Sequence, residues 1–228
     1  RKPGRAAPDE PPAEERGMLR EARAGLRETW RQPVVRSLAV ANLMLAFSSR
    51  MVGVSILLYL TREADYSPGV LGVIFAIGGA GSVAGAIVAG RSRAGFGPSI
   101  TLALLLVSAG TAFVPMVSEV SILGVALLAG SQVVTDPAWT FFNVNELTTR
   151  QGLVPIEMQG RVSASVRVLE FGGELAGTVV GGLIASEVGL RETLLVAVCL
   201  MALNAVVFAA SPGGLRNRRG LQMANPGV

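Results

Sequence analysis

Arg167, Glu170 and Glu174 follow one another at steps of three and four residues. On an α-helix that spacing puts all three on one face, and Arg167 can pair with Glu170 one turn away. They sit inside a run, residues 163–186, otherwise rich in Val, Leu, Ala and Gly. A second charge, Arg50, stands near the middle of another apolar run. Asn42, Ser49 and Gly53 share a helical face there, with Arg50 at its edge. A charge at that depth costs about 2.5–3.5 kcal/mol on insertion scales, so Arg50 needs a carboxylate, an anionic ligand group or water. A third set, Gln132, Asp136, Trp139 and Asn143, recurs at steps of four, three and four. Proline lacks the amide N–H and clashes with the preceding turn, so Asp136–Pro137 is expected to interrupt that helix.

The chemistry open to these residues is ion pairing and proton exchange. The chain has no histidine and one cysteine, Cys199. That excludes His-based metal sites, Ser-His-Asp and Cys-His catalysis, and any disulfide within the chain. No cofactor or metal and no enzymatic activity are expected. Arg50, Asp136 and Glu174 are the candidate coupling residues, with Asn42, Gln132 and Asn143 beside them and Arg167–Glu170 as a local network. A carboxylate that takes up and gives back a proton is the obvious relay in a chain without histidine. The structural alternative is a set of ion pairs that locks helices together.

What must position these groups follows from composition. Half of the 228 residues are apolar, mean hydropathy is +0.52, and only 16% are charged, against about 25% in soluble domains. Six apolar stretches lie at about residues 38–60, 69–90, 99–117, 121–142, 163–186 and 193–210. Each is long enough to cross roughly 30 Å of hydrocarbon as a helix. Backbone groups in lipid must bond internally, and the strict alternation of barrel strands is missing, so an all-α membrane bundle is expected. The third and sixth stretches are the most continuously aliphatic and are expected to face lipid.

Arginine and lysine set the orientation. Nine lie before the first stretch, from Arg1 to Arg36. Arg91 and Arg93 follow the second, Arg150 and Arg161 precede the fifth, and Arg216, Arg218 and Arg219 follow the sixth. The opposite loops hold only Arg62 and Arg191. This bias predicts both termini in the cytoplasm. It also explains the pI near 10.2 without nucleic acid. Residues 1–13 read as a disordered linker. Residues 14–36 read as an amphipathic helix on the membrane surface, with Leu19, Ala22, Leu26 and Trp30 on one face, and 211–228 as a cytoplasmic tail. Beginning with Arg1 rather than Met, the chain is expected to continue upstream.

The halves echo each other. Gly81 and Gly85 form a GxxxG in the second stretch; Gly173, Gly177 and Gly181 form two in the fifth. Such stripes let helices pack closely or slide. Spans 1–3 and 4–6 then form a 3+3 inverted repeat, as in transporters.

The segment FNVNELTTRQGLVPIEMQGRVSASVR, residues 142–167, resembles the connection before the penultimate helix of certain major facilitator superfamily exporters. Its marks are Asn143-Val144-Asn145, Arg150-Gln151-Gly152-Leu153-Val154-Pro155 and Gly160-Arg161-Val162-Ser163-Ala164-Ser165. Residues 25–42, GLRETWRQPVVRSLAVAN, are similar to the approach to that family's seventh helix. The resemblance is to the subfamily of enterobactin-type siderophore exporters and macrolide efflux proteins. It implies the C-terminal six-helix half of a twelve-helix transporter. The first and fourth spans would line a central cavity, and the second and fifth would face an N-terminal half. The implied function is proton-coupled efflux of a small amphipathic compound across the inner membrane. The loop at residues 90–97, with Arg91 and Arg93, lacks the acidic residue usual in that family. The alternative is a transport-inactive remnant or a membrane interaction subunit.

Overall fold

The computed structural model describes residues 23–92 and 95–214. The expected linker at 1–13, Arg93, and the tail beyond residue 214 lie outside the described residues. The molecule is all-α with six helices long and apolar enough to cross a membrane. They are α1 (Pro33–Leu58), α2 (Pro68–Arg91), α3 (Phe96–Thr111), α4 (Ile122–Leu153), α5 (Ile156–Glu187) and α6 (Leu190–Ala210). A π-helical turn, Tyr59–Glu63, extends α1, and a 3-10 turn, Val114–Met116, follows α3. Pro33 and Pro68 start their helices where a missing N–H costs nothing. Ser121 caps α4 by accepting from the Gly124 N–H.

Packing follows the inverted repeat. α1 packs on α5 and α6, α4 packs on α2 and α3, and α3 packs on α6. Exchanging α1 with α4, α2 with α5 and α3 with α6 maps each of these neighbours onto another. The largest core cluster lies where α1, α3, α4 and α6 meet, around Leu38, Ile100, Leu104, Phe142, Met201 and Phe208. A second cluster gathers Tyr59, Leu60, Leu71, Leu128 and Leu194 near the other end of the bundle.

Several sequence expectations are corrected here. α3 and α6 are not simply lipid-facing scaffold: each has an exposed aliphatic face and a buried face that carries polar groups. Ser99, Thr101, Thr111 and Thr193 donate to carbonyls of their own helices. Such bonds hide a hydroxyl in an apolar setting. The Ser108 hydroxyl donates to Val198 O on α6, and Asn204 Nδ2 donates to Ala41 O on α1 at 3.0 Å. These bonds tie the elements together.

The segment expected as one surface helix over 14–36 is helical over the described residues 23–31, bends at Gln32, and gives way to α1 at Pro33. Gly25 and Thr29 are buried. A Cβ at Gly25 would press on the Arg161 carbonyl and stand 2.6 Å from Ser165 Oγ. Gln32 Nε2 donates to Leu153 O at 3.2 Å. The segment therefore docks on the ends of α4 and α5, because its small residues meet backbone there.

α4 and α5 run well past their apolar stretches and leave only Val154 and Pro155 between them. Arg150, Gly160 and Arg161, expected in a loop, are helical. Arg91 is the last residue of α2. Pro137 lies inside a continuous α4 rather than at a break.

Candidate functional site

Three helices wall a cavity of about 630 Å³. α1 contributes Asn42, Leu45 and Ser49. α4 contributes Trp139, Asn143, Glu146 and Arg150. α5 contributes Ser163, Arg167, Glu170 and Glu174. The α5 face read from the sequence is thus turned into a cavity with the polar faces of α1 and α4.

Arg50 reaches the edge of this arrangement. Its Nη2 lies 2.8 Å from Glu174 Oε2, in an ion pair between α1 and α5. Neither group is deeply buried. Arg167 Nη1 meets Glu170 Oε2 at 3.1 Å, and its guanidinium lies 5.6 Å from the centre of the Phe171 ring. Cation–π attraction adds to the carboxylate in holding that arginine.

The most buried charges were not anticipated as a pair. Glu146 Oε1 accepts from Arg150 Nε at 2.9 Å, one turn apart on α4, with both side chains about nine-tenths buried. Arg150 Nη1 also donates to Ser163 Oγ on α5 at 3.0 Å. Asn42 Nδ2 is buried and faces the Glu146 carboxylate from α1. A signal was present: Glu146 and Arg150 continue the stripe of Trp139 and Asn143 at steps of three and four. The apolar stretch ends near residue 142, so both appeared to lie in a loop.

Gln132 and Asp136 are not among the residues that line this cavity. Gln132 Nε2 donates to Asp136 Oδ2 at 3.2 Å. Both face Gly78 of α2, where a Cβ would collide with the Asp136 carboxylate. The stripe keeps one face of α4, but its neighbours change along the length. The first half meets the small residues of α2; the second half meets the cavity. Gly81 and Gly85 continue the contact: a Cβ at Gly81 would stand 3.1 Å from Pro137 Cγ, and one at Gly85 would lie 2.7 Å from Pro137 Cα.

On the opposite side, Gly173, Gly177 and Gly181 let α5 lie against α1. Added Cβ atoms would stand 2.8 Å from Leu43 O, 2.9 Å from the Phe47 carbonyl carbon and 2.9 Å from Met51 Cα. These stripes seal contacts inside the six-helix body. They do not form the free surface of α2 or α5, where Gly72, Gly79, Gly172 and Gly182 have open space at Cβ.

Among the described residues, no three acidic or cysteine side chains come together to hold a metal. Six spanning helices in an inverted repeat, with paired charges around an open cavity, define a polytopic membrane protein of the transporter kind. The family described as transmembrane secretion effector matches residues 3–218, and the chain belongs to it, within the major facilitator superfamily. An uncharacterized MFS-type transporter of Bacillus subtilis (strain 168), YfiS, is 23% identical over 203 residues, which cover 86% of this chain. The chain spans 47%, about half, of that relative's length. No solved structure matches the chain.

Proposed function

We propose that these helices are the C-terminal half of a twelve-helix secondary transporter that exports a small amphipathic compound, of drug or siderophore type, in exchange for protons. The carrying observation is the cavity between α1, α4 and α5, where Arg50–Glu174, Arg167–Glu170 and Arg150–Glu146 bring paired charges together inside a membrane-spanning bundle. Family membership and the half-length match to an MFS-type transporter support the same reading. In the full protein an N-terminal six-helix half covers the exposed faces of α2 and α5, and the two halves rock about the cavity. Both termini face the cytoplasm of an inner membrane, as the arginine bias requires.

Coupling falls to the Arg50–Glu174 pair. A proton on Glu174 removes its charge and frees Arg50 from α5. Re-forming the pair expels the proton. Ligand and proton then shift one equilibrium between inward and outward forms. Glu170 contributes less, because Arg167 neutralises it within α5.

The test uses the gene with its in-frame upstream coding sequence in an efflux-deficient host, scored by drug and siderophore accumulation. Glu174→Gln should abolish export against a gradient while downhill exchange persists. Asp136→Asn, which faces α2, should act on protein level rather than on coupling. If Glu174→Gln still concentrates substrate with unchanged pH dependence, the pair is structural. If no compound in the screen depends on the gene, the transporter reading fails in favour of a transport-inactive membrane protein.

A further inference from the structure

The helical segment at residues 23–31 has two faces of different character. Gly25 and Thr29 form the inner one; both are buried, and Gly25 meets the backbone of Arg161 on α5 with no room for a Cβ. The outer face is exposed and sorted by chemistry. At 100° per residue, Leu26 and Trp30 make one edge, and Arg23, Arg27 and Arg31 follow in turn around the helix. Arg31 lies 3.7 Å from Glu28 yet keeps 78% of its side chain exposed. Arg36, exposed in the first turn of α1, is a fourth arginine close by. Two contacts fix the height of the segment in the bundle. Gly25 stands against Arg161 and Ser165, where the apolar stretch of α5 begins. Trp30 shares a cavity of about 250 Å³ with Val207 and Phe208, where the apolar stretch of α6 ends. Both ends of the segment are therefore held at the boundary of the spanning region, and Gln32 alone separates it from α1. Beside Trp30, Leu203, Val206 and Val207 carry on as an exposed aliphatic face of α6.

We propose that this outer face docks on the headgroup layer of the bilayer and selects acidic phospholipids there. Leu26 and Trp30 enter the boundary between headgroups and acyl chains, the depth at which indole rings settle and amphipathic helices bury their apolar edge. Arg23, Arg27, Arg31 and Arg36 meet the lipid phosphates through charge-assisted hydrogen bonds. Clusters of about four to eight basic residues directly beside a spanning helix are what an acidic lipid surface attracts. A zwitterionic headgroup carries its own cation next to the phosphate and leaves the charge of four arginines uncompensated; an acidic headgroup compensates it. The inner face meanwhile stays on the protein, with Gly25 against α5 and Gln32 Nε2 donating to Leu153 O of α4. The segment thus ties the ends of α4 and α5 to the membrane surface. Nothing in this inference depends on transport.

The chain has two tryptophans, so Trp139→Phe leaves Trp30 as the single reporter, on the face itself. That chain is reconstituted in bilayers of equal parts phosphatidylglycerol and phosphatidylcholine, with one or the other brominated near the headgroup. Quenching of Trp30 should report association with phosphatidylglycerol at least about fivefold tighter than with phosphatidylcholine, the effect of a single arginine at an anionic surface. Arg23→Gln, Arg27→Gln and Arg31→Gln together should remove most of that preference. Salt at 1 M, which screens charges beyond about 3 Å, should weaken it. A chain with Trp30→Phe, Trp139→Phe and Leu203→Trp, its reporter on the aliphatic face of α6, should show no such preference. Equal quenching of Trp30 by the two lipids would overturn the proposal, and that comparison leaves the segment intact. Quenching by neither lipid would overturn it as well, because Trp30 would then face water or a protein partner. A preference that survives the triple arginine change, or one matched at position 203, would overturn it equally.

Discussion

Glycine to alanine at position 177 separates packing from propensity on a single helix. A Cβ there would press on the Phe47 carbonyl oxygen and stand 2.9 Å from its carbon and 3.0 Å from Phe47 Cα. Ordinary contact begins at about 3.4 Å, so α5 must part from α1 by at least about 0.5 Å. The obstacle is backbone, which cannot rotate aside. Overpacking of this kind costs about 1–3 kcal/mol. It is opposed by the gain of about 0.5–1 kcal/mol when alanine replaces a glycine in a helix interior. Gly182, on the same helix, has nothing within 4 Å of its Cβ, so Gly182→Ala should collect the gain alone. The two variants should therefore differ by about 2 kcal/mol, some 30-fold in the unfolding equilibrium. Reversible unfolding in mixed micelles, followed by far-UV circular dichroism, measures both. Gly172→Ala, also open at Cβ, is a second control that should track Gly182→Ala. Equal stability of Gly177→Ala and Gly182→Ala would refute the argument, because it would mean that α5 does not lie on α1 at this distance.

Removing Glu146 should be among the most damaging single changes. It strands the buried Arg150 guanidinium, and breaking a buried pair typically costs about 3–5 kcal/mol. Glu146→Leu with Arg150→Met should recover most of that loss in the same unfolding assay; a single Glu146→Leu as stable as the parent would contradict the buried pair. Topology is open to cysteine labelling after Cys199→Ser, since Cys199 is exposed. Cysteines placed at the exposed positions Glu63 and Arg91 should label from outside and inside respectively, and external labelling at 91 would reverse the assigned orientation.

The six spans were legible because apolar runs of that length have few other uses, and the structure carries a spanning helix over each. Their ends were not. α4 continues through Glu146, Thr148 and Arg150 to Leu153, where hydropathy falls although the helix does not. Tertiary packing sustains that extension: Phe142 and Val154 are buried, and Arg150 bonds across to α5. The cavity was half legible. Spacing within a helix reveals which residues share a face, so Arg167, Glu170 and Glu174 were found together. It does not reveal what stands opposite. Gln132 and Asp136 share a stripe with Trp139 and Asn143, yet meet α2, because Gly78, Gly81 and Gly85 bring that backbone close at their level. Pro137 was read as a break on local grounds. The α4 backbone instead stays helical there, with Gly81 and Gly85 packed against the proline.

The pseudo-twofold holds for packing and fails for charge, and the difference bears on which joint can respond to a proton. α5 lies on α1 through Gly173, Gly177 and Gly181, as α2 lies on α4 through Gly78, Gly81 and Gly85. Both joints are close backbone contacts built from small residues. At the α1–α5 joint each helix also contributes a charge of opposite sign, Arg50 and Glu174, so protonation changes the attraction between the two elements. At the α2–α4 joint the only charge among the described residues is Asp136, and its hydrogen-bond partner, Gln132, belongs to its own helix. Protonating Asp136 changes no ion pair between helices; it alters how one polar side chain sits against Gly78. Of two similarly packed joints, one thus carries an ion pair between helices and the other does not. Under the proposed function, a proton-driven change belongs on the α1–α5 side, beside the cavity, while the α2–α4 contact stays as the fixed wall against which it works.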